Sequence, residues 1–73
     1  MIESMQPPLT PEQILRIAQA VNGGKIRGGI VRLAAELGIV RQTIYYWLVK
    51  KHPPSIRLDR LLRQLAETYG VDT

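Results

Sequence analysis

Between Ile30 and Val49 the stretch IVRLAAELGIVRQTIYYWLV repeats apolar residues at helical spacing on both sides of a single glycine. Leu33, Ala34 and Leu37 precede Gly38, and Ile39, Ile44, Trp47 and Leu48 follow it. Steps of three and four residues fit a helix and not a strand, so the pattern predicts two short helices bent at Gly38 with one continuous apolar surface inside the bend. The side chains left outside are Arg41, Gln42, Tyr45, Tyr46 and Lys50. All of these can donate hydrogen bonds to bases or phosphates.

Such a bend needs support. The whole chain has 73 residues, no cysteine and one histidine, His52, so neither disulfides nor a zinc cluster can supply stability. A chain of this size buries only about 60% of the surface its unfolded form exposes. Efficient helix packing, or a partner chain, must do the rest. The size argues against a multi-step enzyme. No serine-histidine-acid set or carboxylate pair can be assembled from spacing, so no catalytic residue, metal site, cofactor or small-molecule substrate is expected.

Flanking segments supply the expected supports. Residues 1–9, with Pro7 and Pro8, show no periodicity and read as a mobile lead-in to one domain over residues 10–73. Thr10-Pro11-Glu12-Gln13 predicts a capped helix start, with Gln13 placed to close a capping box. Ile14, Leu15, Ile17, Ala18 and Val21 give that helix an apolar face, and Asn22-Gly23-Gly24 ends it. Gly28-Gly29 either makes a tight turn or lets backbone approach a phosphate, although no phosphate-loop sequence follows. The bend itself is expected to use helices over about 30–37 and 41–51. His52-Pro53-Pro54-Ser55 stops the second of these, because residues before proline leave the helical region. A fourth helix starts at Ile56 or Leu58, with Ser55 as cap for the earlier start. It carries Leu58, Leu61, Leu62, Leu65, Ala66 and Tyr69 inward, and Asp59, Arg60, Arg63, Gln64 and Glu67 on its wet side.

Charge is unevenly spread along this plan. The total is +4, made of a net −1 over residues 1–24, +7 over 25–63 and −2 over 64–73. Positive charge gathered around the bend suits a polyanion-binding surface. No apolar run reaches the roughly 18 residues of a membrane span, and Met1 to Gln6 lacks the pattern of a signal peptide, so a cytoplasmic location is expected.

These residues resemble the helix-turn-helix of phage repressors of the Cro and cI type and the related Xre-like regulators. That family places a small residue four positions before the turn glycine and an apolar residue after it. Apolar or aromatic residues follow six and nine positions beyond the glycine. Ala34, Gly38, Ile39, Ile44 and Trp47 fill those places here as the structural core of the motif, and Leu33 and Leu37 also fit. With one helix before the motif and a leucine-rich helix after it, the resemblance covers roughly residues 10–71. One position departs. The family usually has Ser, Thr or Asn as cap of the second helix, whereas this chain has Val40. Either that helix starts elsewhere, or its first amides are free to meet a phosphate.

The resemblance implies an all-α, four-helix, lambda-repressor-like domain that binds duplex DNA as a homodimeric transcriptional repressor at a roughly palindromic operator. Arg41 and Gln42 would then read bases, Arg pairing with guanine and Gln with adenine. Tyr45 and Tyr46 would touch thymine methyls or phosphates, unless one of them folds onto the core. Lys25, Arg27, Arg32, Lys50 and Lys51 are the phosphate candidates. Trp47 reads as a core anchor, and His52 as a helix-terminal surface residue. No apolar strand-type segment follows Gly70, which turns the expected dimer contact to the fourth helix with Tyr69 and Val71, or else to the first helix. The other reading of the same scaffold is a non-catalytic protein-interaction module. Duplex RNA fits less well, because its A-form major groove does not admit a helix.

Overall fold

Thr10 opens the first helix by a reciprocal cap. Its hydroxyl accepts from the Gln13 amide at 3.2 Å, while its own amide donates to Gln13 Oε1 at 2.9 Å. In the computed structural model, which describes residues 7–72, four helices follow in order. They are α1 (Pro11–Val21), α2 (Gly29–Leu37), α3 (Arg41–Val49) and α4 (Ile56–Tyr69). The fold is an all-α bundle of four helices. The reading of residues 1–6, and of the domain's end at Thr73, lies outside the described residues.

α1 is the hub. It packs against α2, α3 and α4, and α2 in turn packs on α3 and α4. No Cα of α3 comes within 8 Å of one in α4. The core draws Ile14, Ile17, Ala18 and Val21 from α1, Leu33, Ala34 and Leu37 from α2, Ile44 and Trp47 from α3, and Leu62 and Ala66 from α4. No polar or charged residue belongs to it among the described residues.

Four differences from the sequence reading have identifiable causes. Tyr69, expected inward on α4, is 44% exposed, because it is the last residue of the helix, beyond the buried Leu62 and Ala66. Leu15 was expected on the inner face of α1 but is 44% exposed. It stands about a right angle around the helix from the stripe centred on Ile14, Ile17, Ala18 and Val21, and that stripe already fills the interface. Leu9, placed ahead of the fold by its sequence context, is buried, and the Pro7 carbonyl accepts from Arg63 Nη2 at 2.7 Å. Arg63 also donates from Nε to Asp59 at 2.8 Å, and both side chains are only about a quarter exposed rather than on a wet face. The segment from Pro7 to Leu9 is therefore held against α4.

Turns are set by backbone chemistry. Gly38 takes φ +71°, and behind it the Ile39 amide reaches the Ala34 carbonyl at 3.0 Å while the Gly38 amide turns to Ala35. This pair of hydrogen bonds is the Schellman closure that only a left-handed residue permits cheaply. Gly29 has a different reason to be glycine. A Cβ there would sit 3.0 Å from the Ala18 carbonyl oxygen of α1. The second glycine of the Gly28-Gly29 pair thus brings two helices together, and the first, at φ +82°, makes the turn before α2. Ser55 caps α4, its hydroxyl accepting from the Leu58 amide at 3.4 Å, which fixes the earlier of the two expected starts.

Candidate nucleic-acid interface

α3 is short, nine residues, and survives because Ile44 and Trp47 are buried against the rest of the bundle. Its other arc is open. Arg41, Gln42, Tyr45, Tyr46 and Val49 are all exposed along it, with Lys50 at the exit. Tyr45 is 45% exposed, so it does not fold onto the core. Val49 is 71% exposed in the middle of the arc, between the tyrosines and Lys50. The sequence reading gave Val49 no role. An apolar contact at that place suits a thymine methyl, and the signal was its helical phase, shared with Arg41, Gln42 and Tyr45.

Both ends of α3 carry information. Val40 occupies the cap position with extended backbone and no side-chain bond, so α3 does start at Arg41. The Thr43 amide turns back to the Val40 carbonyl at 3.1 Å. The Arg41 and Gln42 amides have no capping side chain to receive them, and the valine itself is 64% exposed. At the other end the helix stops at Val49, two residues short of the expected Lys51. Lys51 adopts φ +55°, a left-handed conformation uncommon outside glycine, and the chain then meets Pro53 and Pro54. That reversal returns His52 to the helix, where its ring lies 5.0 Å from the Tyr46 ring, centroid to centroid, at 37°. His52 is a surface residue with Nδ1 at 3.2 Å from the Pro53 carbonyl oxygen. Tyr46 thus has an aromatic neighbour in His52, and among the described residues Tyr45 has no such ring beside it.

The phosphate candidates are distributed over three places. Lys25 and Arg27 ride on the α1–α2 connection, which is laced rather than loose. Asn22 Nδ2 donates to the Lys25 carbonyl at 3.0 Å and to the Arg27 carbonyl at 2.7 Å, and Gln19 Nε2 donates to Gly24. Arg32 stands on the first turn of α2 beside Glu36, Nε to Oε2 3.7 Å, an exposed pair of the kind worth a few tenths of a kcal/mol. So weak a pair leaves Arg32 able to exchange Glu36 for another anion. Lys50 and Lys51 are exposed at the exit of α3. All five cations are solvent-facing. Among the described residues no group of three His, Cys, Asp or Glu is placed to hold a metal, and no helix is long and apolar enough to cross a membrane.

Substituting Val40 by aspartate tests what the open end of α3 is for. An added cap should raise stability by about 0.5 to 2 kcal/mol, seen as a higher melting temperature. If the same amides meet a phosphate, duplex binding should fall at the same time, because the carboxylate then occupies them and repels the backbone. Higher stability with unchanged binding would separate the cap from the interface.

Compared with family models, curated proteins and solved structures, the chain gives no match.

Proposed function

We propose that the chain is a sequence-specific, double-stranded DNA-binding domain with a lambda-repressor-like helix-turn-helix, made of α2, the Gly38 turn and α3. The observation that carries this reading is the division of α3 into two faces. One face is buried through Ile44 and Trp47, and the other presents Arg41, Gln42, Tyr45 and Val49 to solvent from an uncapped N-terminus. A helix of this kind enters a major groove with its first residues at the base edges. Arg41 and Gln42 are the base readers, Tyr45 and Tyr46 follow one turn later, and Lys25, Arg27, Arg32, Lys50 and Lys51 neutralise phosphates.

Two copies related by a two-fold axis would set their α3 helices in successive grooves about 34 Å apart, on a roughly palindromic site. Repression by occupancy of a promoter is the simplest use of such a domain. A salt series on duplex DNA tests the reading against that of a protein-docking module. Each phosphate neutralised releases counterions, so with five contacts affinity should drop by about a hundredfold or more between roughly 50 and 200 mM salt. An affinity indifferent to salt would exclude a phosphate-contacting surface. Selection from a random duplex library then gives the half-site and its spacing together.

A further inference from the structure

His52 lies beside the open arc of α3, and three features of the chain bring it there. α3 ends at Val49, Lys51 turns left-handed at φ +55°, and Pro53 and Pro54 stiffen the segment beyond. On an unbroken helix a residue six positions after Tyr46 would stand about 9 Å further along the axis and about 120° around it. The broken helix brings it back instead, to 5.0 Å between the ring centroids at 37°. That separation falls within the roughly 4.5 to 7 Å over which tilted aromatic rings attract one another. The ring also has Nδ1 at 3.2 Å from the Pro53 carbonyl oxygen, inside the stiff segment. Lysine is uncommon at positive φ, where glycine is at ease. The chain thus takes an unfavourable backbone at Lys51 in the conformation that lays one ring beside the other.

We propose that His52 is a positioning residue for base readout, its ring holding the Tyr46 ring in one orientation on the open face of α3. Tyr46 and not Tyr45 then contributes the larger share of sequence discrimination. The inference deepens the DNA-binding reading above and rests on it. Exposure does not distinguish the two tyrosines, at 50% for Tyr46 and 45% for Tyr45. The neighbouring ring does. A tyrosine free to change rotamer loses that freedom when it docks, whereas one already held by another ring loses less. His52 therefore acts through Tyr46, while Lys50 and Lys51 beside it serve the phosphates.

The test is a double-mutant cycle on the site selected from the random duplex library, with His52→Ala, Tyr46→Ala and both together. Circular dichroism confirms that each variant is folded. His52→Ala should lower specific affinity about threefold to tenfold, and the loss should vanish when Tyr46 is already alanine. Affinity for a scrambled duplex should stay within about twofold, because the phosphate contacts remain. His52→Phe keeps a ring but cannot carry charge, and should restore specific binding. Tyr45→Ala should cost less than Tyr46→Ala and leave the effect of His52→Ala unchanged. Lys51→Gly and Lys51→Val lose the same charge, but only the branched valine opposes the left-handed turn, so the valine variant should bind the site more weakly than the glycine variant.

Nuclear Overhauser effects between the Tyr46 and His52 rings report the contact without DNA, and should persist in Lys51→Gly and disappear in Lys51→Val. A loss from His52→Ala that persists beside Tyr46→Ala, or that phenylalanine fails to restore, makes His52 a phosphate contact of its own and overturns the proposal. Unchanged specific affinity in His52→Ala overturns it as well, and both results leave the DNA-binding reading standing. A chain that has the ring contact but prefers no duplex sequence overturns that reading and the proposal with it.

Discussion

Replacing Ile44 by alanine should leave the domain close to unfolding at physiological temperature. Ile44 is fully buried on the inner face of a nine-residue helix, at the centre of a core drawn from all four helices. Truncating such a side chain costs about 2 to 5 kcal/mol, in transfer free energy and in the cavity left behind. A domain of this length holds on the order of 4 to 11 kcal/mol in total. α3 has no reserve of its own, because two and a half turns without a side-chain cap do not persist in water. The chain's single tryptophan, Trp47, lies one turn along the same face at 4% exposure and reports the transition directly. Thermal unfolding followed by its fluorescence should drop by about 10 °C or more. Val49→Ala, on the open arc of the same helix, should change stability by less than about 0.5 kcal/mol. Equal losses from the two variants would mean that the faces of α3 are misassigned.

That contrast marks which parts of the structure could be read in the sequence. Local chemistry was legible. Thr10 and Gln13 make the capping box that their spacing announces, Ser55 caps α4, and Gly38 takes the left-handed turn between two apolar stripes. Periodicity separated Ile44 and Trp47 from Arg41 and Gln42, but left open whether one of the tyrosines folds onto the core, which the 45% exposure of Tyr45 decides for that residue. It also contained the evidence against Leu15, whose phase lies off the α1 stripe although its chemistry matches. Contacts between distant segments were not legible. Nothing near Arg63 in sequence indicates that it bridges Asp59 and the Pro7 carbonyl, or that Leu9 joins the core. Gly29 looks like half of a turn, and its closeness to Ala18 depends on how two helices cross. The left-handed Lys51 and the return of His52 onto Tyr46 depend on the path into two prolines, which residue type alone does not determine.

The residues at the front of α3 give the other large effect, in binding instead of stability. Arg41 and Gln42 are exposed in the first turn, and no hydrogen bond or ion pair holds either side chain among the described residues. Removing them should cost the fold almost nothing, within about 0.5 kcal/mol for exposed positions. In a major groove each bidentate pair contributes roughly 1 to 3 kcal/mol of base discrimination. Arg41→Ala with Gln42→Ala should therefore lower specific affinity by about 2 to 6 kcal/mol if the two act independently, a loss of thirtyfold at least. Non-specific binding should change much less, because Lys25, Arg27, Arg32, Lys50 and Lys51 remain, and the salt slope should keep most of its value. Lys50→Ala should do the reverse, weakening specific and non-specific binding alike and lowering that slope by about one. Anisotropy titrations on the selected site and on a scrambled duplex, at two salt concentrations, separate the two patterns. If Arg41 and Gln42 behave like Lys50, the open arc of α3 follows the phosphate backbone and the base-reading side chains lie elsewhere on the domain.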